Sequence, residues 1–488
     1  MTVVNENTFT TYDTFYIGGE WVQPSTDHTI TPIDASTEQP LGRVPEGAEA
    51  DIDRAVAAAR AAFDDPSGWA QWEPRRRAEV MERLAEAIDK RADQFVQRVS
   101  AQNGMPVAVA QQLEIGYPSA VLRYYAGLAR ELSTIETREG LFGGPIDVRR
   151  YPVGVVAAIV PWNFPQALSM FKIAPAMATG CTLVIKPSPE TVLDAYLLAE
   201  AIDEAQVPHG VINIVPAGRE VGAYLVAHPG VDKVAFTGST AAGRSIAEVC
   251  GRLLRPVTLE LGGKSAAIVL DDAELNLAKI GAGLFGSTLL NNGQTCFLGT
   301  RVLAPRNRYN EVVEAFTALA GSLTVGIASD PTTQIGPMAT ARQRARVESY
   351  IAKGRAEGAR LTVGGARPKD LDQGWFVEPT VFADVDNGAT IAREEIFGPV
   401  LSLIPYDGID DAVRIANDSD FGLGGTVWTA DPERGAAVAQ RIRTGTIGVN
   451  RYIPDPAAPF GGVKASGLGR ELGPEGLAGY LQIQTVYR

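Results

Sequence analysis

The segment VGVVAAIVPWNFP, residues 153–165, begins the stretch whose pattern decides the fold. Residues 153–160 are continuously apolar, which is typical of a strand that is buried on both faces of a sheet. Similar strands are predicted at 181–186, 211–215, 231–236 and 256–261, with helices between them at 166–179, at 190–205, shortly after 215 and at 241–254. This alternation predicts a parallel sheet with crossover helices. Such a sheet binds its ligands at the carboxyl ends of its strands.

The rest of the chain predicts more α/β structure around this sheet. Before the sheet, the sequence favours a hairpin at 15–22 and helices at 51–63 and 75–101. Residues 132–150 have the pattern of a two-stranded excursion, and the chain ends in a β-prone tail. A second α/β region follows residue 265, with helices near 274–290, 308–320 and 340–357 and strands near 360–363, 376–382 and 400–405.

Composition excludes several functional classes. At 488 residues the chain can form about three domain-sized units, and 45% hydrophobic with 21% charged residues is typical of a folded protein. A net charge of −13 argues against nucleic acid and anionic membranes as partners. The N-terminus has no signal-peptide pattern, and no apolar run is long enough to span a membrane. An odd count of three cysteines suits a reducing compartment, so we expect a cytoplasmic protein.

Polar residues stand where the predicted strands end. Asn163 lies between two prolines, where its amide could donate to a developing oxyanion, and Lys186 could hold ribose hydroxyls. Glu260 is placed as a general base would be. The small residues of TGSTAAGR, 237–244, open a helix whose N–H groups could face a phosphate. Each feature also has a purely structural interpretation. Asn163 could simply form a turn, Lys186 could be a surface lysine, Glu260 could be a solvated carboxylate at the sheet edge, and the small residues at 237–244 could serve helix packing.

Cys296 lies in NNGQTCFLG, residues 291–299, a small and polar turn that backbone and ligand can approach closely. Cys181 and Cys250 stand in apolar and helical runs, where a cysteine is commonly a small buried residue. A thiolate at Cys296 would be a strong nucleophile. Only three histidines occur, and no pair has metal-ligand spacing, so we expect no metal site. A cysteine–histidine pair stays open from the sequence, but nothing favours one, so the base that serves Cys296 is expected to be a carboxylate.

Taken in order, these motifs resemble the aldehyde dehydrogenase superfamily, from about residue 16 to the tail. The motifs are PWNFP (161–165), FTGST (236–240), ELGGK (260–264), GQTC (293–296), EEIFGP (394–399) and APFGG (458–462) with SGLGREL (466–472). The resemblance implies an α/β fold with a Rossmann-like parallel-sheet cofactor domain, a second α/β catalytic domain and a small β oligomerisation element. It places the cofactor domain at 1–131 and 151–261, the catalytic domain at 262–477, and the oligomerisation strands at 132–150 and 478–488.

The resemblance also implies a reaction, the NAD(P)-dependent oxidation of an aldehyde to the carboxylic acid. Cys296 matches the nucleophile, which forms a thiohemiacetal and then, after hydride transfer, a thioester. Asn163 and the backbone N–H of Cys296 would stabilise the oxyanion. Glu260 matches the base that activates water. Lys172 and Glu471 match residues that the family uses near this base, to orient it or to relay protons.

For the cofactor, the resemblance assigns a set of residues around one cleft. They are Trp162, Lys186, Gly218, Gly222, Ser239, Glu395 and Phe397. One departure bears on cofactor choice. Many NAD-preferring members have a glutamate three residues after the lysine, where this chain has Pro189, and Glu190 comes one residue later. We expect NAD and keep NADP, or the use of both, as the alternative.

The substrate is expected to be a small-molecule aldehyde that enters through a mostly apolar tunnel. The residues that match its lining are Phe164, Leu168, Phe171, Phe297 and Phe460. Arg451 could meet a substrate carboxylate, although an outward surface arginine is the favoured interpretation. The exposed hairpin and β-prone tail would be edge liabilities in a monomer, so a homodimer or homotetramer is expected.

Three other functions remain open from the sequence. In a coenzyme A-acylating relative, coenzyme A would take the acyl group, but Glu260 argues against this because only hydrolysis needs a water-activating base. A non-catalytic structural or binding relative would be expected to lose Cys296, Glu260 or Asn163, and all three are present. A thiol hydrolase would cleave esters without a nicotinamide cofactor.

Overall fold

A computed structural model describes residues 9–488 of the chain. Residues 1–8, which belong to the predicted cofactor domain and carry part of the expectation that no signal peptide is present, lie outside it. The predicted central sheet is confirmed. It has eight strands, in the spatial order Gly467–Leu468, Val257–Glu260, Lys233–Thr237, Val155–Ile159, Thr182–Lys186, Ile212–Ile214, Phe15–Ile17 and Glu20–Val22.

The five middle strands of this sheet are parallel, and the strands at both ends are antiparallel. In chain order, the middle strands run 3-2-1-4-5 across the sheet, as in a Rossmann fold. The order reverses between Val155–Ile159 and Lys233–Thr237, and a ligand cleft is expected where these two strands end. The turns that follow them contain Asn163 and Ser239.

Helices cover both faces of this sheet. They are Glu49–Asp64, Pro74–Asp89, Ala92–Asn103, Val107–Gln111, Tyr117–Glu131, Pro165–Thr179, Leu193–Glu204, Arg219–Ala227 and Thr240–Arg252. The helix Pro165–Thr179 is buried along its whole length, because it lies between the sheet and the helices Pro74–Asp89 and Tyr117–Glu131. Its first residue, Pro165, suits a helix start because proline has no backbone N–H to leave unpaired.

A second, seven-stranded sheet forms from the C-terminal half of the chain. Its order is Arg360–Val363, Thr380–Ala383, Val400–Tyr406, Arg301–Pro305, Ala266–Val269, Gly425–Trp428 and Gly448–Val449, and only the first strand is antiparallel. Its helices are Leu277–Thr288, Tyr309–Ser322, Ala341–Ala356, Thr390–Arg393, Gly408–Asn417 and Pro432–Ala439, and the helix Gly473–Ala478 follows later in the chain. The strand Gly467–Leu468 returns from this half to the edge of the first sheet.

The excursion predicted at 132–150 is a hairpin that also pairs with the C-terminal tail. Strands Ile135–Glu139 and Pro145–Pro152 are antiparallel, and Leu481–Tyr487 pairs with the second of them over seven residues. Two segments far apart in sequence therefore form one three-stranded sheet. A further small sheet of Thr10–Thr11, Thr29–Ile30 and Gly42–Pro45 was not predicted.

Two predicted elements differ in extent. The single helix expected at 75–101 is wrong, because the chain turns at Lys90 and Arg91 and forms two helices. Helical apolar spacing continues on both sides of that turn, so the pattern alone did not reveal it. The strand expected near 376–382 begins only at Thr380, after Pro379. Among the described residues, no helix has both the length and the apolar character needed to cross a membrane.

Candidate active site

Two cavities meet at Cys296. One is an apolar tunnel of about 630 Å³, and the other is a cleft of about 480 Å³ at the carboxyl ends of the first sheet. Cys296 and Asn163 line both cavities. Cys296 is also the cysteine with partial exposure, since Cys181 and Cys250 are buried. A thiol at this junction can reach a molecule in either cavity.

The turn that carries Cys296 has an unusual backbone. Asn291, Asn292 and Gly293 all have positive φ angles, of 51°, 60° and 73°. The Asn292 side chain stabilises this conformation: its amide donates to the carbonyls of Gly104 and Pro337, and its oxygen accepts from the N–H of Gly336. A β-carbon on Gly293 would lie 2.2 Å from the backbone carbonyl group of Gly398, so only glycine fits there.

Asn163 is directed at the same turn. Its Nδ2 donates to the carbonyl of Gln294 at 3.0 Å, which places the amide beside Cys296. Asn291 Nδ2 donates to the Asn163 carbonyl at 2.9 Å, and Asn103 Nδ2 donates to the carbonyl of Trp162 at 3.0 Å. These contacts fix the strand-end turn to the cysteine turn. The amide is therefore already held where it could donate to an oxyanion formed at Cys296.

Glu260 ends its strand in the floor of the cleft, as predicted, and it is buried. Neither carboxylate oxygen accepts a hydrogen bond of normal geometry from residues 9–488, although Lys172, Arg470 and the N–H of Gly462 lie near enough to favour the charged form. Burial, and next the charge of Glu471, raise the pKa of Glu260 well above its ordinary value. The raised pKa makes the Glu260 carboxylate a better proton acceptor than an ordinary glutamate.

Lys172 and Glu471 form a buried ion pair next to Glu260. The Lys172 ammonium lies 2.9 Å from Glu471 and also donates to the Thr237 hydroxyl at 2.7 Å. Both charged side chains are almost fully inaccessible. The two charges have opposite effects on the pKa of Glu260: Glu471 raises it and Lys172 lowers it.

The cleft gathers four of the predicted cofactor residues: Trp162, Ser239, Glu395 and Phe397. The ring of Trp162 meets that of Phe397 edge to face, 5.4 Å apart. Glu395 accepts from the N–H of Gly263 at 2.9 Å, and burial raises its pKa to about 7. A β-carbon at Gly262 would lie 2.4 Å from Glu395, so the close approach of this carboxylate requires glycine.

Ser239 and Phe397 are placed by their backbones. Ser239 is the N-cap of the helix Thr240–Arg252 and accepts from the N–H of Ala242, so the helix N-terminus faces the cleft. Such a position favours an anion. Phe397 has a φ of 63°, which is rare for a bulky side chain and is common at ligand sites.

The other three cofactor candidates lie apart from the lining of this cleft. Lys186 donates to the carbonyls of Pro187 and Ala217, and burial lowers its pKa to about 8. A β-carbon on Gly222 would lie 3.1 Å from the Lys186 side chain, so this glycine gives the lysine its space. A β-carbon on Gly218 would lie 3.0 Å from the Glu46 carboxylate. Arg342 lies between the cleft and the region around Lys186. It lines the cleft and pairs with Glu190 at 3.2 Å.

All five predicted tunnel residues line the apolar cavity. These are Phe164, Leu168, Phe171, Phe297 and Phe460. Tyr452 also lines the tunnel and was not predicted. Its ring lies 4.7 Å from that of Phe297, and its hydroxyl forms a hydrogen bond with Thr446. Arg451 is exposed and borders a separate cleft beside the tunnel, in agreement with its interpretation as an outward arginine.

The thiol and its surroundings define the chemistry that the site can perform. Burial, followed by the nearby carboxyls of Glu395 and Glu260, raises the pKa of Cys296 above that of an ordinary thiol. Attack by Cys296 therefore requires a group that accepts its proton, and two carboxyls, Glu395 and Glu260, lie near enough to act on the thiol. Within residues 9–488, no group of three or more potential metal ligands is found. The arrangement fits acyl chemistry on a cysteine between an apolar and a polar cavity.

Known proteins match the chain over nearly its whole length. The model of the Aldehyde dehydrogenase family matches residues 21–486. A geranial dehydrogenase from Castellaniella defragrans is 56% identical over 472 residues, which cover 97% of this chain and 98% of that protein. The crystal structure of a Mycobacterium tuberculosis aldehyde dehydrogenase with NAD⁺ has a TM-score of 0.96 and 48% identity, over 99% of both chains. A mutant aldehyde dehydrogenase from Pseudomonas syringae with NAD⁺ and octanal has a TM-score of 0.94 and 39% identity, over 99% of this chain and 98% of that one.

Proposed function

The chain belongs to the aldehyde dehydrogenase family, whose members oxidise aldehydes to carboxylic acids, and we propose that it does so through a thioester on Cys296. The observation that carries this proposal is the position of Cys296 where the apolar tunnel meets the polar cleft. An aldehyde entering through the tunnel and a cofactor bound in the cleft would both reach the same sulfur atom.

The first half of the reaction uses Cys296 and Asn163. The Cys296 thiolate adds to the aldehyde carbon, and the carbonyl oxygen becomes an oxyanion. The Asn163 amide, with the backbone N–H of Cys296, stabilises that charge. Collapse of the thiohemiacetal re-forms the carbonyl and expels hydride, which leaves a thioester on the sulfur. NAD⁺, when bound in the cleft, supplies the acceptor for this hydride.

The second half uses Glu260. Its carboxylate removes a proton from water, the resulting hydroxide attacks the thioester carbon, and the Cys296 thiolate leaves as the acid forms. Burial without a normal hydrogen bond leaves the Glu260 oxygens available for this water. Lys172 and Glu471 lie near the base, where they would orient it or relay its proton.

The cleft fits a dinucleotide through several features of its own. A helix N-terminus at Ser239 suits a pyrophosphate, and the aromatic edge of Trp162 with Phe397 can pack on a flat ring. Glu395 can accept from ribose hydroxyls. We propose that the first sheet carries the cofactor, the second sheet supplies Cys296, and Lys186 with Gly218 and Gly222 holds the adenosine end.

Glu190 takes the place of the glutamate that stands one residue earlier in many NAD-using relatives. It accepts a hydrogen bond from Ser188 at 2.5 Å and pairs with Arg342, so its charge is held close to Lys186. A carboxylate there repels the 2′-phosphate of NADP, which favours NAD. We therefore expect Glu190→Ala to raise the NADP-to-NAD ratio of kcat/KM about tenfold or more.

The matched control for this cofactor prediction is Arg342→Ala. That change removes a positive charge beside Glu190, and we expect it to lower the same ratio. Reduced-cofactor formation, measured with NAD and NADP side by side, gives both values. A ratio that moves in the same direction in both variants would contradict the role of Glu190.

The proposed function is tested by reduced-cofactor formation from a panel of aldehydes, together with the identity of the product. Formation of NADH and the free acid in equal amounts is the expected result. Formation of an acyl-coenzyme A only when coenzyme A is added would support the acylating alternative instead. The apolar lining favours aliphatic or terpenoid aldehydes over charged ones, in line with the geranial dehydrogenase that the chain resembles.

We also propose a homodimer or homotetramer, working in the reducing cytoplasm. The three-stranded sheet has two edge strands, Ile135–Glu139 and Leu481–Tyr487, that can pair with another chain. It also exposes large apolar side chains, namely Ile135, Leu141, Phe142, Tyr151, Ile483 and Tyr487. Light scattering is expected to give a multiple of the 51.8 kDa chain mass, and a monomer mass would contradict the proposal. Cell fractionation would test the location.

A further inference from the structure

Gly286 leaves an unfilled space in the wall of the substrate tunnel. It lies in the helix Leu277–Thr288, which forms one side of the cavity with Gly281, Ala282 and Phe285. A β-carbon built on Gly286 would meet no atom of the described chain within 4 Å, apart from its own helix and chain neighbours. The helix thus presents bare backbone to the tunnel at this point.

Packing does not explain this glycine, although it does explain a neighbouring one. A β-carbon on Gly283 would lie 3.0 Å from the ring of Trp428, so a side chain there would disturb the packing of this helix against the seven-stranded sheet. Gly286 has no such neighbour, and glycine is a poor helix former in an interior position. The missing side chain therefore gives the fold no benefit that the structure shows, and what it provides is volume in the tunnel.

The position of Gly286 along the tunnel decides what this volume is for. Near Cys296 the lining is buried and aromatic, with Phe171 and Phe460 in edge contact at 6.1 Å. At the far end the lining is exposed, and it includes Ala108, Gln112, Ala282, Ser322, Gln334 and Ile453. Gly286 lies in the same helix as the exposed Ala282 and one turn closer to the Cys296 turn along the chain, which puts it between these two zones. Its space therefore lies beside the distal part of a bound chain and away from the reacting carbonyl.

Building on the proposed oxidation, we propose that Gly286 determines which aldehydes the enzyme accepts, by leaving space for the distal carbons of a long or distally branched apolar chain. At about 30 Å³ for each heavy atom, the share of one water in the liquid, an eleven-atom aldehyde such as decanal needs on the order of 330 Å³. The tunnel volume of about 630 Å³ exceeds this requirement. Short aldehydes would occupy only the aromatic zone and would not reach Gly286.

The test is a comparison of chain lengths in Gly286→Leu, since a leucine side chain would project into the space and is a better helix former than glycine. The kcat/KM for decanal is expected to fall about tenfold or more, while that for propanal stays within about twofold. Gly286→Ala should fall between the wild type and the leucine variant. Equal losses for both aldehydes, or no loss for decanal, would overturn the proposal.

A matched control is Gly127→Leu, in the helix Tyr117–Glu131. A β-carbon on Gly127 would also meet nothing within 4 Å among the described atoms outside its own helix, and this residue lies outside the tunnel lining. Its decanal-to-propanal ratio should match that of the wild type. A ratio that falls in Gly127→Leu as much as in Gly286→Leu would mean that the effect is not specific to the tunnel.

A binding measurement keeps the inference testable without turnover. Decanoate and propionate represent the products, and their binding can be followed by calorimetry. Gly286→Leu should weaken decanoate binding about tenfold and leave propionate unchanged, and unchanged decanoate binding would refute the role of Gly286. A wild type that binds decanoate but oxidises no aldehyde with either cofactor would contradict the proposed function. The role of Gly286 would then still be decided by calorimetry, from the decanoate affinity of Gly286→Leu.

Discussion

Cys296→Ala is expected to lower kcat for aldehyde oxidation by about 10⁴-fold or more, with NAD binding changed by no more than about twofold. Without the sulfur no thiohemiacetal forms. A free hydrated aldehyde is not held in place by a covalent bond and is a poorer hydride donor. The cofactor residues Trp162, Glu395 and Phe397 are untouched by this change. Steady-state rates and a titration of NAD give the two values.

The other cysteines supply the controls for this experiment. Cys181 and Cys250 are buried away from both cavities, so Cys250→Ala should keep its activity even if its stability falls. Neither thiol lines the tunnel or the cleft, so a bound aldehyde would not reach either of them. Turnover retained in Cys296→Ala, or lost in a folded Cys250→Ala, would mean that Cys296 is not the nucleophile.

Much of the fold could be predicted because its central strands are buried on both faces. A strand such as Val155–Ile159 is apolar at every position, and the polar residue that follows it marks the carboxyl end of the sheet. Asn163 and Glu260 were found in this way, and the structure brings both of them to Cys296. Their catalytic roles remain predictions.

What the sequence did not reveal depends on contacts between distant segments. Asn103 was not singled out, although it supports the turn at Asn163, because its partners are backbone carbonyls about 60 positions away. The strand Gly467–Leu468 is too short to show an apolar period, yet it closes one edge of the first sheet. The open space at Gly286 is likewise invisible in sequence, where a helical glycine looks only unfavourable.

Glu260→Gln is expected to lower kcat by about 100-fold or more, because glutamine keeps the shape of the side chain but cannot accept a proton from water. Hydride transfer precedes hydrolysis, so the acyl-enzyme should accumulate. Rapid mixing with NAD and aldehyde should then show a burst of about one NADH for each site, followed by slow turnover. A burst that shrinks in proportion to kcat would contradict the role of Glu260 in hydrolysis.

The raised pKa of Glu260 adds two consequences that separate catalysis from folding. In the wild type, kcat should rise with pH as Glu260 loses its proton, and the glutamine variant should lose this rise. A carboxyl whose pKa is raised on folding binds more protons in the folded state than in the unfolded state. The free energy of unfolding therefore falls as the pH rises above the ordinary pKa of glutamate. Glu260→Gln removes that cost, and its thermal unfolding near neutral pH should occur no lower than in the wild type. A variant that is inactive and also less stable would indicate a structural role for Glu260, whereas an inactive variant of equal or greater stability would indicate that the carboxylate is kept in the core for its chemistry.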